Sequence, residues 1–86
     1  MSKFVILILY MSMQIILFGR LADIAGNSVS VDEVPDTDSL RNILHKRYPE
    51  FANTKYVIAV DKQVIKGNMI LNNNSVVALL PPFSGG

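Results

Sequence analysis

The 86-residue chain contains no cysteine, no tryptophan and a single histidine, His45. The absence of cysteine excludes a disulfide scaffold, a zinc site built on thiolates and a cysteine nucleophile. One histidine cannot supply a metal site that needs several imidazole ligands, so we expect no metal. At this length a chain buries only about 60% of its unfolded surface, which allows one small domain.

The chain also lacks an excess of charge of either sign. Eight Lys and Arg residues face seven Asp and Glu residues, which gives a net charge of +1. A protein that neutralises many phosphates needs a basic surface, so we expect no nucleic-acid partner. Half of the residues are hydrophobic, as in a chain that buries a compact core. This composition favours a small binding or carrier domain over an enzyme.

The N-terminal part carries a long uncharged stretch, Phe4–Gly19, between Lys3 and Arg20. It contains polar residues and falls short of the roughly 20 apolar residues of a membrane span, so we expect no membrane association. A signal peptide is a second interpretation, but no good cleavage pattern follows. We interpret residues 1–12 as an apolar extension, with Met13 as an alternative start, that lengthens the first strand or covers a sheet edge. We therefore expect a cytoplasmic protein.

Apolar runs, alternation and turn residues predict a β-α-β-α-β-β-β order. A short helix, Leu21–Ala25, ends at Gly26, and the main helix follows a cap at Thr37 or Asp38 and ends before Pro49. The predicted strands are Gln14–Phe18, Ser28–Asp32, Tyr56–Val60, Gln63–Ile65 and Val76–Leu80.

The first and last of these strands are the most apolar, which places both in the middle of the sheet. The fold class is therefore α+β: a mixed four- to five-stranded sheet with one main helix packed across it. His45 lies in the last turn of that helix, where we interpret it as a solvated side chain that suits the helix dipole. The domain is predicted to span residues 13–82, and a flexible tail residues 83–86.

The C-terminal end carries the functional signal. Pro81-Pro82 cannot donate to a sheet ladder and directs the chain away from the last strand. The final Gly85-Gly86 has no side chains, so its carboxylate fits a narrow channel. Six extended residues reach about 20 Å, far enough to enter a partner's active site. The alternative interpretation is an inert terminus.

The chain resembles the ubiquitin-like β-grasp sulfur carriers, and among them the small subunits of molybdopterin synthase. The resemblance covers residues 13–86 and is most specific in the final strand and tail, Val76–Gly86, because the Pro-Pro-x-x-Gly-Gly ending is characteristic of the molybdenum-cofactor branch. The chain departs from the family at Ala22-Asp23, where an Arg-Glu pair is frequent, and at Asp61, where Asn is usual.

The resemblance implies a fold and a mechanism. The fold is the ubiquitin-like β-grasp. An E1-like adenylating enzyme uses ATP to activate the C-terminal carboxylate of Gly86, and sulfur then replaces AMP to give a thiocarboxylate. The tail inserts into the large subunit of the synthase, a heterotetramer, where the sulfur builds the dithiolene of molybdopterin. The chain binds no cofactor, and the catalytic residues lie on the large subunit. The tail residues implied to position the sulfur are Pro81, Pro82, Phe83, Ser84 and Gly85.

We also expect apolar side chains on the exposed sheet face to contact the large subunit, with Phe18 and Leu79 as candidates. Three other functions are compatible with the same fold. A sulfur carrier for thiamine or for tRNA thiolation ends in Gly-Gly without the proline pair. A ubiquitin-like modifier forms isopeptide conjugates, and an inert interaction domain does not need its last glycine.

Overall fold

The computed structural model describes residues 12–72 and 74–82, which form a five-stranded sheet, two α-helices and a 3₁₀ turn. The predicted order of elements is confirmed, with the 3₁₀ turn as an addition. The strands are β1 Ser12–Leu17, β2 Ser28–Asp32, β3 Val57–Val60, β4 Gln63–Val64 and β5 Val77–Leu80. The helices are α1 Arg20–Ala25 and α2 Thr37–Arg47, and the 3₁₀ turn is Pro49–Asn53.

The strand order is β2-β1-β5-β3-β4, so the last strand lies at the centre of the sheet. β1 and β5 run parallel, with Ile15 opposite Val77 and Leu17 opposite Leu79. The other three strand pairs are antiparallel, which makes the sheet mixed. The prediction that the two most apolar strands both lie in the middle of the sheet is confirmed.

One face of the sheet packs against α2 to form the core. Leu40 and Leu44 of α2 and Phe51 of the 3₁₀ turn are completely buried. Each such side chain contributes about 1.5–3 kcal/mol of burial free energy relative to an exposed one. The helix ends at Tyr48, because Pro49 cannot continue it.

β1 is an apolar run, but only one of its faces is buried. Met13, Ile15 and Leu17 are buried, whereas Gln14 and Ile16 are exposed. Successive side chains of a strand point to opposite faces, and only one face of β1 meets the helix. The run of apolar residues therefore supplies both the core and an apolar outer face.

The start of α2 also differs from the prediction. Asp36, and not Thr37 or Asp38, is the N-cap, and its carboxylate accepts a 2.9 Å hydrogen bond from the Ser39 N–H. The Thr37 side chain is completely buried and unavailable for capping, since its hydroxyl accepts from the Met69 N–H at 2.9 Å. Residues distant in sequence thus decide which side chain caps the helix.

The predicted helix end at Gly26 is confirmed, and the connection between β3 and β4 is a tight turn. Gly26 follows α1 with a positive φ of 92° and donates its N–H to the Ala22 carbonyl. Asp61 and Lys62, with φ values of 51° and 73°, join β3 and β4. Positive φ at both central residues is the geometry that suits a two-residue hairpin.

The predicted extension, residues 1–12, lies outside the described residues except for Ser12, which begins β1. Within the residues described, none of the helices has the length and apolar character needed to cross a membrane.

Candidate functional site

The tail begins at Pro81-Pro82, which we call the tail root, and the preceding strand β5 fixes this root at the centre of the sheet. β5 ends at Leu80, and Pro81 and Pro82 follow it as exposed residues. The ladder stops there because proline has no N–H to donate. The Phe18 N–H donates to the Leu79 carbonyl at 3.1 Å, which joins the residue after β1 to β5 just before the prolines. The remaining predicted tail residues, Phe83, Ser84, Gly85 and Gly86, lie outside the described residues.

A glycine allows the tail root to lie close to the end of β1. Gly19 has a φ of +61°, and an added Cβ would lie only 2.8 Å from Cγ of Pro81. Both the backbone angle and the close contact require glycine at this position. The packing of Gly19 against Pro81 therefore helps to set the direction in which the chain leaves the sheet.

The face of the sheet opposite α2 carries an apolar patch from β1 to β4, and we call this patch the open face. A row of four aligned residues crosses it from β1 to β4, because Ile16 pairs with Ala78, Ala78 with Ala59, and Ala59 with Val64. Together with neighbouring side chains these residues line a shallow depression of about 420 Å³. The other lining residues are Phe18, Lys62, Val76 and Leu80.

The open face adjoins the tail root, since Leu80 precedes Pro81 directly. Phe18 is 46% exposed and Val64 is 50% exposed. Large apolar side chains exposed together on one face mark an interaction surface. The exposure of Phe18 is compatible with the predicted interface, which remains a prediction for this residue.

The assignment of Leu79 to the interface is wrong. Its side chain is completely buried in the core, beside the α2 side of the sheet. The residues of β5 on the open face are its neighbours, Ala78 and Leu80. The period-2 pattern was the available signal, because Val77 and Leu79 occupy one face and the alternate positions must occupy the other.

A second depression, which we call the basic cleft, lies on the helix side of the tail root. It has a volume of about 420 Å³, and its lining includes Arg41 and His45 of α2, Lys55, Tyr56 and Pro82. The Tyr56 hydroxyl and His45 Nε2 are 2.8 Å apart and share a hydrogen bond. His45 is thus partly buried and bonded, which corrects its interpretation as a simply solvated side chain.

Among the described residues, Tyr56 in the basic cleft and Asp36 at the start of α2 have shifted pKa values. Burial raises the pKa of the Tyr56 hydroxyl, and the nearby Arg41 guanidinium opposes that shift. Hydrogen bonds from the Ser39 side chain and then from its backbone N–H lower the pKa of Asp36. The first shift belongs to the basic cleft, and the second belongs to the helix cap.

The described residues do not gather three His, Asp or Glu side chains in a way that could hold a metal ion. The features they do bring together are a tail root, an apolar face and a basic cleft. Such features are typical of a surface that binds another macromolecule.

The fold and its tail root define a ubiquitin-like β-grasp domain, and comparison with known proteins supports this class. One solved relative is in a protein-protein complex of subunits 1 and 2 of molybdopterin-converting factor from Helicobacter pylori. It superposes with a TM-score of 0.64 at 28% identity, over 88% of this chain and 100% of its own. SAMP1 from Haloferax volcanii superposes with a TM-score of 0.64 at 26% identity, over 87% of this chain and 99% of its own.

The sequence comparisons narrow the class to a family. The profile of the ThiS family matches residues 15–86, and the chain therefore belongs to the ThiS family. A curated relative is the molybdopterin synthase sulfur carrier subunit of Dictyostelium discoideum. It is 30% identical over 81 residues, which cover 85% of this chain and 94% of that protein.

Proposed function

We propose that this chain is the sulfur carrier subunit of a molybdopterin synthase. The observation that carries the proposal is the tail root itself. The Pro81-Pro82 pair follows the central strand directly and lies beside an apolar face that a second subunit can cover. The similarity to the Dictyostelium subunit and to the Helicobacter complex supports the same function.

The chemistry begins with the C-terminal carboxylate of Gly86. A carboxylate is a poor acyl electrophile, so an E1-like partner joins it to the α-phosphate of ATP and releases pyrophosphate. A sulfide equivalent then attacks the glycyl carbon, the bond to AMP breaks, and Gly86 carries a thiocarboxylate. The chain's own contribution is to hold and deliver this sulfur.

Delivery depends on the geometry of the tail. The described domain anchors the tail root through β5 and through the packing of Gly19 against Pro81. Since Gly85 and Gly86 have no side chains, the tail fits a narrow channel in the large subunit. There the thiocarboxylate donates its sulfur to the molybdopterin precursor, and two such transfers make the dithiolene.

The test is the intact mass of the protein after incubation with ATP, a sulfur source and the candidate E1-like enzyme. We expect a gain that corresponds to replacing one oxygen atom with one sulfur atom. A chain lacking Gly86 should show no gain. A chain with one extra glycine after Gly86 is the second control. It keeps the glycine end but displaces the carboxylate, and it should fail to deliver sulfur to the synthase reaction.

Other results would assign another function. Conjugates with a lysine of other proteins, seen as a series of heavier species, would indicate a modifier. Sulfur gain without molybdopterin formation in the presence of the large subunit would indicate a carrier for another thiolation pathway. Full activity of the chain that lacks Gly86 would exclude a carrier.

A further inference from the structure

The basic cleft carries positive charge close to the point where the tail begins. Arg41 belongs to α2, and Lys55 belongs to the segment before β3, so two separate elements bring their cations to one depression. Among the described residues that line the cleft there is no carboxylate. Asp38 is 3.5 Å from Arg41, but both side chains are exposed, and such pairs contribute little.

The rings of His45 and Tyr56 line the bottom of the basic cleft. The His45–Tyr56 hydrogen bond fixes both rings, and their centroids lie 6.1 Å apart in an edge-on arrangement. Phe51, which is completely buried, packs edge-on against Tyr56 from below. The Arg41 and Lys55 side chains therefore line a depression whose aromatic side chains are fixed by their own contacts.

The position of the basic cleft, next to the tail root, determines which part of a partner protein can contact it. Pro82 forms part of its wall, so a protein that encloses the tail must also cover the cleft. Covering Arg41 and Lys55 removes water from two positive charges, and this is unfavourable unless an opposite charge replaces the water. A protein that accepts the tail therefore needs a negative group at this place.

We infer that the basic cleft binds an aspartate or glutamate side chain of the protein that accepts the tail. The inference rests on the proposed function, because it requires such a protein. The open face and the basic cleft then contribute differently to the binding of this protein. The apolar contact supplies much of the affinity, and the charge contact supplies register and discrimination between tail-accepting proteins.

The experiment compares Lys55→Glu with Lys46→Glu. Both substitutions change the net charge equally, and both residues are exposed, but Lys46 does not line the cleft. Affinity for the purified large subunit and for the purified E1-like enzyme is measured separately by calorimetry at low and high salt. We expect Lys55→Glu to weaken binding to at least one of them by about tenfold or more, and Lys46→Glu by less than about threefold.

Two conservative variants sharpen the result. Lys55→Arg keeps the charge and should keep the affinity, and Arg41→Gln should weaken binding like Lys55→Glu. The affinity of the Lys55→Glu variant should also depend less on salt than that of the parent protein, because it has lost a charge contact.

Equal effects of Lys55→Glu and Lys46→Glu on both proteins would overturn the inference. Saturable binding of inorganic phosphate to the isolated chain, lost in Lys55→Glu while partner affinity stays unchanged, would also overturn it in favour of a phosphate site. If the parent protein gains sulfur while Lys55→Glu and Lys46→Glu bind both proteins with equal affinity, only the inference about the basic cleft is wrong. If the parent protein neither gains sulfur nor binds either protein, the proposed function is wrong as well.

Discussion

Gly19 and Pro81 lie so close together that a Cβ on Gly19 would be 2.8 Å from Cγ of Pro81. The contact joins the residue two positions after β1 to the residue directly after β5. These two strands form the parallel pair at the centre of the sheet. The contact therefore makes the direction in which the tail leaves β5 depend on the position of the end of β1.

Replacing Gly19 with alanine should disturb the tail root. The positive φ of +61° alone costs a residue with a side chain about 1–3 kcal/mol, and the methyl group also displaces Pro81. Gly26→Ala is the matched control, because Gly26 has a φ of +92° with no atom within 4 Å of an added Cβ. We expect urea unfolding to show a loss of stability in both variants and sulfur delivery to fall only in Gly19→Ala. Equal sulfur delivery by the two variants would contradict a role of this contact in positioning the tail.

Leu79 and Leu80 are adjacent in sequence but should respond differently to truncation. Leu79→Ala removes a completely buried side chain and should cost about 2–5 kcal/mol in the free energy of unfolding. Leu80→Ala removes a partly exposed side chain of the open face, so we expect a smaller loss of stability and weaker binding to the large subunit. Denaturation and calorimetry on the same samples measure both effects. A larger stability loss for Leu80→Ala would contradict the assigned faces of β5.

The open face should contribute binding energy through Phe18. Phe18→Ala is expected to weaken the complex with the large subunit by about tenfold or more, as for a buried aromatic anchor. Ile70→Ala is a suitable control, because Ile70 is 80% exposed but does not line the open face. Both truncations should leave the unfolding transition nearly unchanged. If Ile70→Ala weakens the complex as much as Phe18→Ala does, the partner contacts a different surface.

The cap of α2 should make stability depend on pH in the acid range. Hydrogen bonds from Ser39 lower the pKa of Asp36 in the folded state, relative to about 3.9 in the unfolded chain. The stabilisation is therefore complete above the unfolded pKa and is lost as the pH falls through the folded pKa. We expect Asp36→Ala to unfold at lower urea concentration than the parent protein at pH 7, and the difference to shrink as the pH falls below about 4.

Asp38→Ala is the control for that measurement, since Asp38 is the acidic residue that the sequence predicted as a cap. Its side chain is exposed and contacts Arg41 only at 3.5 Å. We expect its unfolding midpoint at pH 7 to stay close to that of the parent protein. A larger pH effect for Asp38→Ala than for Asp36→Ala would show that the cap is assigned to the wrong residue.

Sequence patterns predicted those parts of the fold that depend on local chemistry. The alternation in Ser28–Asp32 matches β2 residue for residue, and Gly26 ends α1 as its backbone freedom suggests. The cap of α2 was misplaced, because Thr37 is taken by a long-range contact with Met69. Propensity has no access to such a contact, which forms only when the tertiary structure brings the two segments together.

The candidate site divides in the same way. Pro81 and Pro82 were found from the sequence because proline has a fixed backbone consequence. Leu79 was assigned to the wrong face. Strand alternation places it on the same face as Val77, and that face is buried. The basic cleft was not predicted, since Arg41 and Lys55 come from separate elements and meet only in the folded chain.

The central position of β5 has a consequence for the order of events in folding. The strand that precedes the tail is also the strand that joins the two halves of the sheet, so β1 and β3 are connected within the sheet only through β5. Contacts between segments so distant in sequence form late and slowly. A chain that presents a correctly directed tail has therefore already completed its fold, and a damaged or truncated chain loses its tail geometry together with its core.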